Sequence, residues 1–279
     1  MTTANHALVD DLVAANHILY VEGVVDGFGH VSVRHNQRAD RFLLACGVAP
    51  ATVTADDILE VDFNGVVHDE AGRRSYLERF IHSEIYKAHP DVMAIVHSHS
   101  PAIIPFSVTT RVTLKPVCQM SGFLGFSTPI FEIRDTAGDH NNMLVTRAKL
   151  GRALAESLGT TDFALMRGHG SVTVAKSLRL AVARATWAEM NAKLQTEALR
   201  MAGTDGDAGV NYLTPVKLQD RWPSTRRWWI GHGISGRRKR GSRLRVWSGS
   251  CRLTSQIRKA LSASLGCLRV NRVSTLRVY

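Results

Sequence analysis

The sequence of 279 residues contains no long apolar run and only four cysteines. A membrane-spanning helix needs roughly 18 to 20 consecutive apolar residues, and no segment approaches that length. Residues 1–6 lack the basic and apolar regions of a signal peptide, so we expect a cytoplasmic protein with no membrane partner. The cysteines are scattered and form no Cys-x-x-Cys pair, which excludes a zinc ribbon and argues against a disulfide framework.

Acidic residues are absent from the end of the chain. Residues 221–279 contain none of the 24 Asp and Glu but 15 of the 35 Lys and Arg. Residues 1–220 therefore hold 20 basic and 24 acidic side chains, a formal charge of −4, although the whole chain carries +11. The tail could be a basic arm for nucleic acid, a solvated tail for anionic surfaces, or a C-terminus translated out of frame. Its Arg, Ser and Trp enrichment without apolar periodicity favours a disordered or out-of-frame tail, and a nucleic-acid partner is not expected.

Apolar periodicity in residues 1–220 predicts a single domain of the α/β class. Helical and alternating segments are mixed, and the strands come as antiparallel neighbours. We therefore expect three layers, α/β/α, with a central and largely antiparallel sheet. The predicted helices cover 7–25, 77–87, 150–158 and 178–201, and the predicted strands cover 30–34, 41–45, 58–62, 63–67, 93–96 and 163–166.

Three histidines carry the strongest chemical signal. His97 and His99 follow a buried strand, and alternate residues of a strand project to the same face, so both rings can reach one divalent ion at about 2.0–2.1 Å. His169 stands between two glycines after another buried strand, where a close backbone approach can present a third imidazole. Three histidines with an open coordination position are typical of a catalytic metal site.

The helix that precedes the histidine pair offers further polar groups. Glu78, His82 and Glu84 lie on it, and one carboxylate there could be a fourth ligand or an acid/base group. His82, one helical turn from Glu78, could instead orient that carboxylate or simply be packed.

These motifs resemble the class II aldolase/adducin family, which includes fuculose-phosphate aldolase and ribulose-phosphate 4-epimerase. Residues 78–82, 94–99 and 167–170 carry the resemblance, which extends over about 7–202. In that family three histidines bind zinc or another divalent ion, and a glutamate on the preceding helix is the catalytic acid/base. The resemblance thus implies His97, His99 and His169 as metal ligands, Glu78 as the catalytic group, and a homotetramer with active sites near subunit interfaces.

The departures from that family concern the phosphate-binding positions. Where the sugar-phosphate aldolases have hydroxyl and amide donors, this chain has Gly29-His30, Cys46-Gly47 and Tyr76-Leu77. A phosphate needs several converging donors, so a phosphosugar is disfavoured. The pattern is similar instead to the decarboxylase branch, which includes hydroxy-methylpyridine-dicarboxylate decarboxylase and dihydroxyphthalate decarboxylase.

The resemblance implies a metal-dependent carbon–carbon lyase that decarboxylates a small hydroxylated aromatic or heteroaromatic carboxylate or dicarboxylate, with Zn²⁺ or Mn²⁺ as cofactor. His30 and Arg34 are candidates for holding a second carboxylate, with a structural hydrogen bond and an outward-pointing side chain as the respective alternatives. Tyr212 is a candidate substrate contact within an oligomer, or else a structural residue. An aldolase or epimerase acting on a sugar, sugar phosphate or hydroxy acid, and a non-catalytic module of the adducin type, are the remaining alternatives.

Overall fold

A computed structural model of the chain describes residues 4–69 and 71–214. The basic tail at 221–279 and the predicted domain boundary at residue 220 lie outside the described residues, so both stay predictions.

The described residues form six α-helices, eight strands and four 3₁₀ segments. The helices are α1 (His6–Val21), α2 (Arg79–Ala88), α3 (Ile104–Val108), α4 (Arg134–Ala137), α5 (Ala148–Leu158) and α6 (Leu178–Ala202). The strands are β1 (His30–Arg34), β2 (Arg41–Ala45), β3 (Ile58–Asp62), β4 (Val67–His68), β5 (Ala94–Ser98), β6 (Ile130–Phe131), β7 (Phe163–Met166) and β8 (Gly170–Ala175). The 3₁₀ segments are Pro50–Thr52, Ala55–Asp57, Gln119–Leu124 and Gly203–Gly209.

All eight strands belong to one sheet, in the order β4-β3-β2-β1-β5-β8-β7-β6. Within the described residues, every pairing is antiparallel except the parallel pairing of β6 with β7. The expectation of a largely antiparallel sheet is therefore confirmed. Strands β1 to β4 follow one another in sequence and in space, whereas β5 joins the free side of β1 and links the two halves of the sheet.

Helices form two layers around this sheet. Helix α1 packs against α6, and α2 packs against α5. Helix α1 buries Leu12, Ala15 and Leu19, which lie on one face because they are three and four residues apart. Gly151 of α5 lies so close to α2 that an added Cβ would stand 2.3 Å from the carbonyl oxygen of Phe80. These layers and the sheet give the expected α/β/α architecture.

Three local predictions differ from the structure. The strand expected over 63–67 is instead a turn at 63–64 followed by the short strand β4 at Val67–His68. Helix α1 ends at Val21 rather than near residue 25, because Gly23 adopts a φ of +71° and its N–H donates to the carbonyl of Tyr20. Such a left-handed glycine is a common helix terminator. Strand β8, which the sequence analysis did not predict, is an interior strand of the sheet between β5 and β7.

In residues 4–69 and 71–214, none of the helices combines the length and the apolar composition that crossing a bilayer requires.

Candidate active site

The three histidines meet where β5 and β7 end and β8 begins. His97 lies in β5, His99 follows that strand directly, and His169 lies in the turn between β7 and β8. The pairing of Ser98 with Ser171 brings this turn against the end of β5. Gly170 permits the approach, since a Cβ at this position would lie 1.9 Å from the carbonyl oxygen of Ser98. The glycine that marks this motif in the sequence is thus a steric requirement.

The side chains of this cluster converge on one point. The Nε2 atom of His99 lies 2.9 Å from Nε2 of His97 and 3.1 Å from Nε2 of His169. The Oε2 atom of Glu78 lies 3.6 Å from Nε2 of His97 and 3.4 Å from Nε2 of His169. One ligand atom from each of the four residues lies within 4.8 Å of all the others. We call these four residues the His/Glu cluster.

Hydrogen bonds behind the cluster fix the orientation of two rings. The Nδ1 atom of His97 donates to the carbonyl oxygen of Ser171 over 3.1 Å, and Nδ1 of His99 donates to the carboxylate of Asp26 over 3.2 Å. In a neutral imidazole the other nitrogen is then a bare lone pair. Burial, followed by His97 and His169, lowers the pKa of His99 to about 4, so this ring is neutral near pH 7.

This donor set fits a divalent metal ion. Two bare nitrogens at 2.9 Å cannot hydrogen-bond to each other, and a cation between them would remove the repulsion. Two ligands at about 2.0–2.1 Å from a tetrahedral ion lie roughly 3.3 Å apart, close to the observed separations. Hydrogen bonds from the outer ring nitrogens to a carboxylate or a carbonyl are the usual support for metal-binding histidines.

Glu78 stands at the start of α2 and completes the cluster. Its Oε1 accepts a hydrogen bond of 2.8 Å from the backbone N–H of Val145, which leaves Oε2 facing His97 and His169. Burial acts to raise the pKa of the Glu78 carboxyl, but the adjacent His169 and His97 rings lower it by more, to well below its ordinary value. Glu78 is therefore a carboxylate near pH 7, suited to ligate a cation or to accept a proton.

His30 lies beside the cluster at the start of β1. It pairs across the sheet with His97, and the two ring centroids are 5.0 Å apart. Its Nδ1 is hydrogen-bonded to Nε2 of His82 over 2.7 Å. Burial, then His82 and His97, lowers the pKa of His30 well below its ordinary value. His30 is therefore a neutral ring next to the expected ion.

The amino-acid sequence shows which protein family this chain belongs to. A model of the class II aldolase and adducin N-terminal domain matches residues 10–196. The chain belongs to the class II aldolase/adducin family. All four residues of the His/Glu cluster lie within the matched range.

Several relatives of this chain within the class II aldolase/adducin family are decarboxylases. Decarboxylase tropJ of Talaromyces stipitatus is 35% identical over 240 residues, which cover 78% of this chain and 88% of that protein. A 3,4-dihydroxyphthalate decarboxylase of Rhodococcus jostii is 25% identical over 204 residues, or 68% of this chain and 79% of the relative. A crystal structure of an aldolase II superfamily protein from Pseudomonas syringae has the same fold, with a TM-score of 0.67 at 21% identity over 83% of this chain and 92% of that one.

Arg34, a predicted substrate-binding residue, lies away from the His/Glu cluster. Its guanidinium donates to the carbonyl oxygens of Tyr86 and Val92 over 2.6 Å and of His89 over 3.1 Å, at and beyond the C-terminus of α2. It lies four positions along β1 from His30, a distance of about 13 Å. Within this chain Arg34 therefore caps the C-terminus of α2, and a contact of Arg34 with the substrate stays a prediction.

Tyr212 also has structural partners in this chain. Its hydroxyl donates to Asp207 over 2.6 Å and accepts from Nε2 of Gln195 over 3.2 Å, and the ammonium group of Lys115 lies 4.6 Å from its ring centre. These partners belong to α6, to the 3₁₀ segment Gly203–Gly209 and to the segment between α3 and the 3₁₀ segment Gln119–Leu124, and none belongs to the His/Glu cluster. A contact with the site of another subunit stays a prediction.

Asp26 and Ser171 support the cluster but were not predicted from the sequence. Asp26 has a recognisable local signal, because in Asp-Gly-Phe-Gly its Oδ1 accepts from the backbone N–H groups of Phe28 and Gly29, both over 2.8 Å. Such an Asx turn identifies an ordered carboxylate. Its contact with a histidine 73 positions later depends on the tertiary fold alone.

Proposed function

We propose that this chain is a metal-dependent decarboxylase of a small hydroxylated aromatic or heteroaromatic acid. The convergence of three imidazole nitrogens with the Glu78 carboxylate, beside a neutral His30, is the observation that carries the proposal. The family and its decarboxylase relatives support a lyase.

The expected cofactor is one divalent ion held by His97, His99 and His169, with Zn²⁺ or Mn²⁺ as the first candidates. When bound, it would supply a Lewis acid that stabilises negative charge developing on a substrate oxygen. In the proposed reaction the bond between the ring carbon and the carboxylate breaks, CO2 departs, and the electron pair stays on the ring next to the hydroxyl-bearing carbon. A proton must then reach that ring carbon.

Glu78 is placed to orient the water molecule that delivers this proton. Its Oε1 is fixed by the Val145 N–H, so Oε2 is held toward the space where a substrate would lie. Because Glu78 is ionised, it would accept a hydrogen bond from a water molecule and orient it for proton delivery, and would not donate a proton of its own.

The positions where sugar-phosphate aldolases bind phosphate support a carboxylate substrate. The Tyr76 hydroxyl donates to the carbonyl of Val48, and the Cys46 thiol donates to the Asp57 carboxylate over 3.6 Å. Leu77 has no polar group. The side chains of Tyr76, Cys46 and Leu77 are thus engaged or apolar, and these three residues offer no set of side-chain donors for a phosphate.

Assembly belongs to the same proposal. Phe28 and Leu77 are 73% and 64% exposed, and they lie two residues from Asp26 and next to Glu78 respectively. Large exposed apolar side chains at the edge of a site are typical of an interface. They support a subunit interface near the active site, and the homotetramer expected from the family resemblance would be tested by light scattering of the purified full chain.

The decisive experiment is a substrate screen on metal-defined protein. The full chain, stripped with a chelator and reloaded with Mn²⁺ or Zn²⁺, should release CO2 from at least one ortho-hydroxy benzene- or pyridine-dicarboxylate. A His99→Ala variant treated in the same way is the matched control and should release none. Metal-loaded protein that releases no CO2 from any such acid would contradict the proposal, and aldehyde release from a sugar phosphate would favour the aldolase alternative.

A further inference from the structure

A chain of four hydrogen-bonded side chains runs from the active site into the layer between β1 and α2. The Nδ1 atom of His30 contacts Nε2 of His82 over 2.7 Å, and Nδ1 of His82 contacts Oγ of Ser32 over 2.6 Å. Oγ of Ser32 in turn contacts the Tyr86 hydroxyl over 2.8 Å. Each of the four residues is at most 2% exposed. We call this series the His30 relay.

The far end of the relay determines the direction of every hydrogen bond in it. The Tyr86 hydroxyl has a single hydrogen-bond partner among the described residues, Oγ of Ser32. If Ser32 donated to Tyr86, the phenolic hydrogen would be buried without an acceptor, which is an unfavourable state. Tyr86 therefore donates to Ser32, and the single Ser32 hydrogen is left for Nδ1 of His82.

The same reasoning continues to the site. A His82 ring that accepts at Nδ1 carries its hydrogen on Nε2 when it is neutral. Nε2 of His82 then donates to Nδ1 of His30, and His30 in turn carries its hydrogen on Nε2. In the opposite direction His30 would present a bare lone pair at Nε2.

The ring of His30 that carries this nitrogen lies beside the His/Glu cluster. Its ring is 5.0 Å from the ring of His97 and 4.6 Å from that of Tyr76, between centroids. In residues 4–69 and 71–214, no hydrogen-bond partner of Nε2 is found, and this atom is not among the fully buried polar atoms that lack a partner. This nitrogen is therefore not fully enclosed, and the ring that carries it packs against His97 of the His/Glu cluster.

We infer that the His30 relay holds His30 as the neutral Nε2–H tautomer, so that His30 donates a hydrogen bond to a carboxylate or other anionic oxygen of the substrate. His82, Ser32 and Tyr86 are positioning residues in this scheme. The identity of the acceptor rests on the proposed function, whereas the tautomer rests only on the hydrogen bonds.

A fixed N–H donor suits an acidic substrate at this place. It attracts an anionic oxygen without adding a second positive charge beside the metal ligands. The opposite tautomer would direct a lone pair at the lone pairs of the carboxylate and would disfavour binding. The His30 relay thus favours a substrate that places an anionic group, or another strong hydrogen-bond acceptor, next to His97.

The direct test is the tautomer of His30 in the full-length protein. Nitrogen NMR of histidine-labelled protein distinguishes protonated from bare ring nitrogens, and the His30 signals are assigned by their loss in His30→Gln. The expected result is a protonated Nε2 and a bare Nδ1 for both His30 and His82. A protonated Nδ1 on His30, or an imidazolium ring, would overturn the inference.

A pair of variants tests the positioning role. In His82→Gln the amide can still donate to Nδ1 of His30, whereas His82→Leu offers no donor. We expect kcat/KM to fall by about 10–100-fold in His82→Leu. In His82→Gln the loss should be smaller, at most about 3–10-fold, which is half of the His82→Leu loss on a logarithmic scale. Metal content should equal that of the wild type in both variants. Equal losses in the two variants, after melting curves confirm that both fold, would indicate a merely structural role and overturn the assignment.

The two proposals can fail separately. If His30 has the expected tautomer but no acid is decarboxylated, the proposed function fails and the relay stands. Titration with phthalate should still shift the Nε2–H resonance of His30. If CO2 is released while His30 shows the opposite tautomer, the relay inference fails and the decarboxylase proposal stands.

Discussion

Nδ1 of His99 and Oδ1 of Asp26 lie 3.2 Å apart and join the turn before β1 to the end of β5. The same carboxylate oxygen accepts from the N–H groups of Phe28 and Gly29, so the turn orients the carboxylate and the carboxylate orients the imidazole. Partners of this kind keep the metal-facing nitrogen unprotonated and increase its basicity.

Replacement of this carboxylate should weaken metal binding. In Asp26→Asn the amide oxygen can still accept the turn's N–H groups, but the negative charge behind His99 is lost. We expect the dissociation constant for Mn²⁺ or Zn²⁺ to rise by about 10–100-fold in a competition assay with a chelating dye. Asp10→Asn, at an exposed position of α1, is the matched control and should leave the constant unchanged. An unchanged affinity in Asp26→Asn would show that Asp26 does not support the site.

Glu78→Gln should separate catalysis from folding. Glutamine keeps an oxygen for the Val145 N–H but has an NH2 group in place of Oε2, which cannot accept a hydrogen bond from the water, so kcat should fall by about 10²–10⁴-fold. Three histidines remain, so the variant should still bind metal. Steady-state CO2 release gives the comparison, with Glu156→Gln on the exposed side of α5 as the control. A kcat of Glu78→Gln within a few-fold of the wild-type value would show that Glu78 has no catalytic role.

Arg34→Met should affect stability and leave substrate recognition intact. The guanidinium donates to three carbonyls and lies over the rings of Phe63 and Tyr86. Loss of charged hydrogen bonds of this kind should lower the free energy of unfolding by about 2–3 kcal/mol, measured by urea denaturation.

In the same Arg34 experiment, KM of the folded protein should stay within about twofold of wild type. Arg111→Met, at an exposed position, should change neither quantity. An increase in KM without a loss of stability would restore Arg34 as a substrate ligand.

Gly170→Ala should damage the site through the backbone. The added methyl group would overlap the carbonyl of Ser98, so β5 and β8 must separate where His99 and His169 meet. We expect a loss of about 1–3 kcal/mol of stability together with at least tenfold weaker metal binding. At Gly27 a Cβ would meet nothing within 4 Å, so Gly27→Ala is the control and should be near neutral. Normal metal binding by Gly170→Ala would contradict the close packing.

Local patterns predicted much of the sheet. The bounds of β1, β2 and β7 agree with the alternating or apolar runs at 30–34, 41–45 and 163–166. Strand β8 was missed because its alternation directly follows the Gly-His-Gly motif, which was interpreted as the end of a sheet. The end of α1 was placed too late because Val24 and Val25 extend the apolar pattern beyond Gly23.

The residues of the His/Glu cluster were predictable from the sequence, but the residues that hydrogen-bond to the site histidines were not. The histidine motifs and Glu78 are local in sequence, and the structure brings them together. The position of Arg34 was not predictable, because alternation gives the face of a residue but not which helix terminus lies above it. The contact of Asp26 with His99 and the His30 relay depend on how β1 and β5 pair and how α2 packs across them.

The central claim is that one bound divalent ion per chain enables decarboxylation. Metal-free full-length protein should be titrated with Mn²⁺ while CO2 release from the best acid in the screen is recorded. The account predicts no release without metal, a linear rise, and a plateau at one ion per chain, with no such rise in His169→Ala. Full activity in the metal-free protein, or no CO2 release with one ion bound, would contradict it.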